Sequence, residues 1–243
     1  MNEGFTTDTF CNGRIQIKQS RDGYRFSIDA VILAAYSVPR AGDTVLDLGT
    51  GCGIIPLMLA FRHPNIRIYG IEIQESLANL ASLNVKSNRM EDRIVILRQD
   101  MKTLSSYKKG GMVPYPANMV VSNPPYRKVC SGRINPNQER ATARHEISAS
   151  LSDVLQTARR VLCISGKFIA IYPAERIADM LMQMRSADIE PKFLRMIHSG
   201  ADTEAKLILA QGIRGGRPGI KIAPPLIIYN KDGTYTDEVK AMY

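Results

Sequence analysis

The fold of this chain is decided by the stretch Asp47-Leu48-Gly49-Thr50-Gly51-Cys52-Gly53, here called the glycine turn. It follows a short apolar run at 44–46 and precedes a helical pattern that extends from about Ile54 to Phe61. Glycines let a backbone turn sharply from a strand into a helix and approach a bound ligand closely. The stretch therefore predicts the first strand, turn and helix of a nucleotide-binding type of sheet.

Strands and helices alternate along the chain after this turn. Apolar runs predict strands at 67–71, 94–97, 118–122 and 167–172, and helical spacing predicts helices at 75–86, 151–162 and 174–185. Such alternation is typical of an α/β fold with a doubly wound, Rossmann-like and mostly parallel sheet. Three further strands are expected at 193–197, 206–213 and 226–229, the last two paired as an antiparallel C-terminal hairpin.

The residues before the first helix predict a small extension of the sheet domain. Ile15-Gln16-Ile17 alternates apolar and polar side chains, turn residues follow at 20–23, and Tyr24-Arg25-Phe26 resumes extended character. We therefore predict a hairpin extension over 1–28, with Ser27 or Asp29 capping the next helix. A chain of 243 residues has room for one α/β domain, so a single domain over 1–243 is expected.

The composition favours a polyanionic partner. The chain has 32 Lys and Arg against 23 Asp and Glu, which gives a formal net charge of +9. Residues 1–46 balance, so the excess lies further along. No apolar run is long enough to cross a membrane, no targeting segment is recognisable, and the four cysteines form no CxxC pair. The prediction is a cytoplasmic protein without a membrane span or a metal.

A carboxylate in the glycine turn selects among nucleotide-type ligands. Asp47 would repel the pyrophosphate of a dinucleotide, but it can pair with a cationic amino-acid moiety. S-adenosylmethionine carries such a moiety and no phosphate, and it is the predicted cofactor. Its predicted ligands in the turn are Asp47, Gly49, Gly51 and Gly53. An ordinary tight turn in a protein without a nucleotide is the alternative.

Two more carboxylates follow predicted strands and are predicted to bind the cofactor. Glu72 ends the second strand, where open α/β sheets place the group that binds ribose hydroxyls. Asp100 follows the third strand, where it can accept a hydrogen bond from the amino group of an adenine. The alternatives are a carboxylate that favours a helix start for Glu72 and a turn or cap aspartate for Asp100.

The tetrad Asn123-Pro124-Pro125-Tyr126 follows the strand predicted at 118–122. The side-chain oxygen of Asn123 and the carbonyl of Pro124 can both accept hydrogen bonds from a planar NH2 group, and proline restricts the backbone that carries them. The ring of Tyr126 offers a face on which a base can stack. Two fixed acceptors also counter the positive charge that develops on an amine during attack. We therefore predict methyl transfer to nitrogen, with Asn123, Pro124 and Tyr126 as catalytic residues.

The segment 127–146 is a long and locally basic stretch directly after the tetrad. Loops of this length are commonly functional, and we predict a substrate loop that grips the phosphates of a nucleic acid. The predicted substrate-binding residues are Pro125, Arg127, Arg133, Arg140 and Arg144. A solvated loop is the alternative for each arginine. Candidates for an extension of the same basic face are Arg214, Arg217 and Lys221.

With these motifs, the chain resembles the bacterial methyltransferases that modify N6 of the adenosine at position 37, beside the anticodon, of a valine tRNA. The resemblance covers most of the chain. It is carried by residues 26–34, 47–53, 72, 100, 123–126 and 144–146, and by the closing segments 215–219 and 224–226. It implies a class I methyltransferase sheet that binds S-adenosylmethionine through the three strand-end carboxylates and the glycines. It also implies that the tetrad holds the adenine and that the partner is a tRNA.

Other enzymes use tetrads of this kind, and three alternatives stay open. They are guanine-N2 methyltransferases of ribosomal RNA, glutamine-N5 methyltransferases of release factors and, from another class, an RNA-binding module that keeps a cofactor fold. A phenylalanine in the last position would favour the guanine enzymes, so Tyr126 favours adenine or glutamine. The residues thus predict an amine methyltransferase, and tRNA as the substrate follows from the resemblance.

Overall fold

The computed structural model describes residues 4–21, 27–104, 116–124 and 149–243. The strands in these ranges are β1 (Phe5–Phe10), β2 (Ile15–Ser20), β3 (Thr44–Leu48), β4 (Arg67–Glu72), β5 (Ile94–Arg98), β6 (Ala117–Ser122), β7 (Leu162–Pro173), β8 (Ile189–His198), β9 (Ala205–Arg214), β10 (Lys221–Ile222) and β11 (Leu226–Ile227). The α-helices are α1 (Ile28–Tyr36), α2 (Ile54–Arg62), α3 (Glu75–Ser87), α4 (Leu151–Val161), α5 (Ile177–Ser186) and α6 (Asp237–Lys240). Single-turn 3₁₀ helices lie at Met101–Thr103 and Ala174–Arg176.

Within these ranges one large sheet has the strand order β10, β8, β9, β7, β6, β3, β4, β5, and β11 also pairs with β8. The run from β7 to β5 is parallel throughout. In contrast, β9 is antiparallel to both β7 and β8. The predicted Rossmann-like, mostly parallel sheet is confirmed. Because β3 to β8 therefore end at one side of the sheet, we call that side the carboxyl edge.

Apolar side chains bury both faces of the sheet. Along β7, Ile169 belongs to the cluster that contains α1 and α2, whereas Phe168 belongs to the cluster that contains α4 and α5. The side-chain period of two places neighbouring residues on opposite faces. A parallel sheet that is covered on both faces has continuous apolar strands, which explains the runs in the sequence. No helix in the described ranges is long and apolar enough to span a bilayer.

The predicted pairing of the C-terminal strands is wrong. The strand at Ala205–Arg214 pairs with β7 and β8, and Leu226–Ile227 runs parallel to β8 instead of antiparallel to β9. The antiparallel hairpin is formed by β8 and β9 around the short turn at 199–204. The glycines and prolines at 215–225 do not form a hairpin turn, because they lead from the end of β9 to the far side of β8. This long connection carries the chain past β8, so that β10 and β11 can pair with β8 in a parallel direction on the side away from β9.

The N-terminal hairpin exists, but its partner strand differs from the prediction. Ile15–Ser20 pairs with Phe5–Phe10, which precedes it in the chain. The predicted partner at 24–26 lies outside the described residues. The turn at Cys11–Asn12 adopts positive φ angles of 52° and 56°, which asparagine tolerates better than most residues. Ser27 is the N-cap residue of α1, although its side chain makes no capping hydrogen bond.

Arg195 of β8 ties the C-terminal helix to the sheet. Its guanidinium bonds both carboxylate oxygens of Glu238 on α6, at 2.5 and 2.9 Å, and donates to the carbonyl of Pro224 at 2.8 Å. The guanidinium also lies over the ring of Tyr36, 5.3 Å from the ring centre. Arg195 is only 9% exposed, whereas the Glu238 side chain is 49% exposed, so these bonds are protected from solvent on the arginine side.

Replacing Arg195 by alanine is expected to lower the free energy of unfolding by about 2 to 4 kcal/mol, because charged hydrogen bonds and a buried stacking contact are lost together. Denaturant unfolding would measure the change. Arg185 provides the control, since its ion pair with Glu190 of the same strand is largely exposed on the arginine side. Arg185→Ala should cost no more than about 1 kcal/mol. Equal costs for the two variants would contradict the importance of the Arg195 contacts.

Candidate active site

The predicted site residues that the structure describes converge at the carboxyl edge. Asp47 is paired in register with Gly70 of β4 on one side and with Val121 of β6 on the other. Glu72 is the last residue of β4, and Asn123 directly follows β6. The carboxylates and the amide therefore lie at the ends of neighbouring strands, at the point between β3 and β6 where the strand order reverses. Open α/β sheets bind ligands in the crevice at this point.

Asp47 is completely buried and only partly hydrogen-bonded. The hydroxyl of Thr50 donates to its Oδ2 at 2.6 Å. Its Oδ1 is buried without a hydrogen-bond partner. A buried acceptor without a donor is costly, and in a native protein it calls for an explanation such as a catalytic role or a bound water or ion. Asp47 therefore has one acceptor atom that a ligand could use.

Burial raises the pKa of Asp47 from its ordinary value of 3.8 to about 7. The hydrogen bond from Thr50 opposes the rise, and the negative charge of Glu72 adds to it. A perturbed carboxyl in a crevice is typical of functional sites. A cationic ligand at Oδ1 would favour the ionised form of Asp47 and would itself be bound more tightly by that form.

The glycine turn folds back onto the end of β4. The backbone N–H groups of Gly49 and Thr50 both donate to the carbonyl of Ile71, at 2.9 and 3.0 Å. Gly49 has a φ of +80°, and a Cβ placed on it would have only Met101 Cε within reach, at 4.0 Å. Gly53 has a φ of +86° and packs so tightly on α3 that a Cβ would lie 3.2 Å from the Ala81 methyl. The turn thus needs glycine for its conformation and, at Gly53, for its packing.

Glu72 holds the glycine turn through hydrogen bonds from the backbone. Its Oε2 accepts from the N–H of Gly51 at 2.9 Å, and its Oε1 accepts from the N–H of Gln74 at 2.9 Å. The side chain is buried, with 5% exposure. Each carboxylate oxygen can accept a further hydrogen bond, so binding of a diol is compatible with both existing bonds.

Asp100 caps the one-turn helix Met101–Thr103. Its Oδ1 accepts from the N–H of Lys102 at 2.9 Å, and its Oδ2 lies 3.8 Å from the ammonium of Lys102. The capping role named as the alternative is therefore present in the structure. Helix α4 holds this segment in place, because Thr157 and Arg160 donate to the carbonyls of Met101 and Lys102 at 3.3 and 3.1 Å.

Asn123 presents the second free acceptor of the crevice. Its Oδ1 is buried without a hydrogen-bond partner, and the residue as a whole is half-buried. The preceding Ser122 ties β6 to β3, since its hydroxyl donates to the carbonyl of Leu48 at 2.8 Å. Pro124 is buried beside it. The free oxygens of Asp47, near the end of β3, and of Asn123, just after β6, thus lie at the ends of adjacent strands that Ser122 links.

The rest of the predicted substrate site falls outside the described residues. These residues are Pro125, Tyr126, Arg127, Arg133, Arg140 and Arg144, together with the whole of 127–146. The suggested extension of the basic face is wrong. Arg214 ends a strand that runs antiparallel to β7 and donates to the carbonyl of Leu162 at the start of β7, so it lies at the opposite edge from Asn123. Lys221 pairs near the middle of β8, and the segment with Arg217 leads to it from that same opposite side.

Sequence reasoning missed two groups at the carboxyl edge. Thr50 lies within the glycine turn, and its spacing of three from Asp47 was a usable signal for their hydrogen bond. Arg176 follows β7, and its guanidinium lies 5.1 Å from the centre of the Tyr172 ring while pairing with Asp179 at 3.1 Å. Ala170 pairs with Ser122, so Tyr172 stands level with Pro124 in the sheet. That proximity depends on strand register, for which the sequence held no local signal.

Comparison with known proteins identifies the family. Residues 29–182 match the family described as the methyltransferase small domain. The chain belongs to this family. The matched residues begin with α1, include the four strand ends described above, and extend into α5. The protein is an S-adenosylmethionine-dependent methyltransferase.

Curated relatives match nearly the whole chain. A protein of Porphyromonas gingivalis named tRNA1(Val) (adenine(37)-N6)-methyltransferase is 31% identical over 239 residues, which are 96% of this chain and 92% of the relative. A protein of Proteus mirabilis with the same name is 30% identical over 249 residues and is matched over 91% of its length, with 98% of this chain covered.

Solved structures share the fold. A predicted O-methyltransferase of Agrobacterium tumefaciens superposes with a TM-score of 0.70 at 22% identity, over 88% of this chain and 94% of that chain. A geranyl diphosphate C-methyltransferase of Streptomyces coelicolor, solved with S-adenosyl-L-homocysteine, superposes with a TM-score of 0.53 at 14% identity, over 76% and 78% of the two chains. At these identities the likeness concerns the fold alone.

The described residues fit S-adenosylmethionine as a ligand. The free Oδ1 of Asp47 suits a cation, and the open side of Gly49 admits a ligand close to the backbone. Glu72 retains acceptor capacity for ribose hydroxyls on a strand next to that of Asp47. Among the described residues no group of three His, Cys, Asp or Glu side chains is placed to hold a metal ion.

Proposed function

We propose that this methyltransferase modifies the exocyclic N6 amine of an adenosine in tRNA, at position 37 of a valine tRNA. The observation that carries the proposal is the free, buried Oδ1 of Asn123, directly after the strand beside that of Asp47. An amide oxygen without a donor suits a planar NH2 group, which adenine presents. The names of relatives that match more than nine-tenths of the chain support adenosine in a valine tRNA as the acceptor.

We assign the cofactor to the side of the crevice formed by β3, β4 and β5. The proposed ligands are Asp47, Gly49, Gly51, Gly53, Glu72 and Asp100. The free oxygen of Asp47 would pair with the amino-acid moiety, and Glu72 would accept from the ribose hydroxyls. Asp100 would accept from the adenine amine of the cofactor with the capacity that its capping bond leaves unused.

Catalysis rests on two acceptors that hold the amine. When bound, S-adenosylmethionine supplies a methyl group on a sulfonium, a leaving group that needs no general acid. Asn123 Oδ1 and the Pro124 carbonyl accept hydrogen bonds from the two N–H groups of the amine and align its lone pair. Both acceptors counter the positive charge that grows on nitrogen during attack, and their partial charges are already in place. The methylated nitrogen then gives up one proton to solvent water, which restores a neutral amine.

The acceptor side of the site also uses residues beyond the described ranges. Tyr126 would stack on the flipped adenine, and Pro125 would restrict the backbone between the two. Arg127, Arg133, Arg140 and Arg144 would contact phosphates along the anticodon arm. We expect residues 1–243 to form one domain. We also expect the enzyme to act in the cytoplasm, where tRNA is modified.

The proposal predicts methylation of tRNA at one nucleotide. The enzyme should transfer label from S-adenosylmethionine to undermodified total tRNA, and nucleoside mass spectrometry should then find N6-methyladenosine. A valine tRNA transcript should be a substrate, whereas the same transcript with guanosine at position 37 should accept no label. Raising the salt from 50 to 200 mM should raise the KM for tRNA at least tenfold, because phosphate contacts release counterions.

Other outcomes would assign a different acceptor. Label in ribosomal RNA as N2-methylguanosine, or label in a release factor as N5-methylglutamine without a salt dependence, would replace the proposal by one of those reactions. RNA binding without turnover on any acceptor, in a protein that binds S-adenosylmethionine, would favour an RNA-binding module.

A further inference from the structure

The N-terminal hairpin is joined to the glycine turn through one side chain, that of Asn84 on α3. Asn84 is fully buried. Its Nδ2 donates to the carbonyl of Lys18 at 3.0 Å and to the carbonyl of Cys52 at 2.9 Å, and its Oδ1 accepts from the N–H of Lys18 at 2.9 Å. A single amide therefore contacts β2 and the glycine turn at the same time.

Asn88, one helical turn later, contacts the hairpin alone. Its Oδ1 accepts from the N–H of Gln16 at 2.9 Å, and its Nδ2 donates to the Gln16 carbonyl at 2.7 Å. The same Nδ2 donates to the carbonyl of Asn84 within α3, at 2.7 Å. Its hydrogen bonds thus go to β2 and to its own helix.

The two asparagines replace a third strand of the hairpin. Helix residues four apart are separated by about 6 Å along the axis, and strand residues two apart by about 6.8 Å. The near match lets Asn84 and Asn88 each satisfy the outward N–H and C=O of one residue on β2. The hairpin edge is thereby paired instead of open, which removes an aggregation-prone edge.

The third hydrogen bond of Asn84 holds the glycine turn at a different peptide group from the one that Glu72 holds. Glu72 holds the N–H of Gly51, and Asn84 holds the carbonyl of Cys52. The N–H of Gly53, in the same peptide group as that carbonyl, donates to the carbonyl of Thr50 at 3.0 Å. The Thr50–Gly51 peptide group is therefore held by Glu72 and the Cys52–Gly53 peptide group by Asn84, in the part of the turn assigned to the cofactor.

We propose that Asn84 is a positioning residue of the cofactor site and that the N-terminal hairpin acts on that site through it. Loss of the Asn84 amide would free the Cys52 carbonyl and let the turn peptides rotate away from the ligand. The hairpin would then be part of the methyl-donor site instead of a separate appendage. The inference rests on the cofactor assignment and is independent of the acceptor.

The test compares Asn84→Ala with Asn88→Ala. Both variants remove hairpin contacts from the same helix, so both should lower Tm. We expect Asn84→Ala to raise the Kd for S-adenosylmethionine, measured by calorimetry without RNA, about tenfold, the value of roughly one lost hydrogen bond. Asn88→Ala should leave that Kd within about twofold. Hydrogen exchange should be faster over 47–53 in Asn84→Ala only.

A second pair of variants serves if Asn84→Ala does not fold. Lys18→Pro removes the backbone N–H that donates to Asn84 Oδ1, and Gln16→Pro removes the N–H that donates to Asn88 Oδ1. Both asparagines stay in place. Proline is tolerated where a strand does not need its N–H for the ladder. Lys18→Pro should weaken S-adenosylmethionine binding several-fold more than Gln16→Pro. Equal Kd values within either pair would overturn the proposal, whatever the acceptor assays show.

Discussion

Replacing Asn123 by alanine is expected to lower kcat for methyl transfer by about 10² to 10³-fold, the usual effect of losing one preorganised group at the reacting atoms. The Kd for S-adenosylmethionine should stay within about twofold, because Asn123 lies on the acceptor side of the crevice. The effect should appear in kcat more than in the KM for tRNA, since the acceptor is worth most when the amine carries positive charge. Single-turnover kinetics on a valine tRNA transcript would separate the chemical step from binding.

Asn118 offers a matched control on the same strand. Its Oδ1 accepts from the N–H of Thr44 at 2.9 Å, at the opposite end of β6 from the crevice. Asn118→Ala removes the same chemical group and one contact between β6 and β3, so it should change stability slightly and leave kcat unaltered. A kcat for Asn123→Ala close to that of Asn118→Ala would show that the tetrad does not hold the amine.

Much of the site could be predicted because its residues terminate parallel strands. The alternation of apolar runs and helical patterns fixes where β3, β4 and β6 end, and parallel strands end at one edge. Asp47, Glu72 and Asn123 could therefore be placed around one crevice without knowledge of any contact. The expected ligand of each group then followed from its residue type; the carboxylate of Asp47, for example, repels a pyrophosphate and attracts a cation.

Pairings between distant segments could not be predicted in the same way. The sequence predicts extended segments at 15–17 and 226–229, but not which partner each selects. That choice depends on contacts such as those of Asn84 and Asn88 with β2, or of Arg195 with the segment before α6. Asn84 stood at helical spacing with apolar residues of α3, and a polar side chain on an apolar face was the available signal for a buried hydrogen-bond network.

Asp47→Asn is expected to weaken S-adenosylmethionine binding by about 10- to 100-fold and yet to stabilise the ligand-free protein at alkaline pH. The first effect follows from the loss of a charged hydrogen-bond acceptor for a cationic group. The second follows from burial, because the wild-type carboxylate must ionise at a site where its Oδ1 has no partner. Calorimetry would measure binding, and denaturant unfolding across pH would measure stability.

The pH dependence has a definite sign. Burial raises the pKa of Asp47 in the folded protein to about 7, whereas the unfolded chain has the ordinary value of 3.8. Between these values the folded state binds more protons than the unfolded state, so the contribution of Asp47 to the free energy of unfolding falls as the pH rises from about 4 to 7. Asp47→Asn removes that loss, and its advantage over the wild type should grow by about 4 kcal/mol between pH 4 and pH 8.

Ligand binding should show the complementary trend. Because the cation pairs with the ionised form, the affinity of the wild type for S-adenosylmethionine should rise with pH up to about 7 and then level off, apart from any titration of the ligand itself. The ligand should add several degrees to the Tm of the wild type and little to that of Asp47→Asn. If Asp47→Asn bound S-adenosylmethionine as tightly as the wild type, the free oxygen would have to face something other than the methyl donor. If binding were lost without the gain in stability at pH 8, the pKa of Asp47 would not be raised in the ligand-free protein, and a cation or water beside the carboxylate would have to stabilise its ionised form.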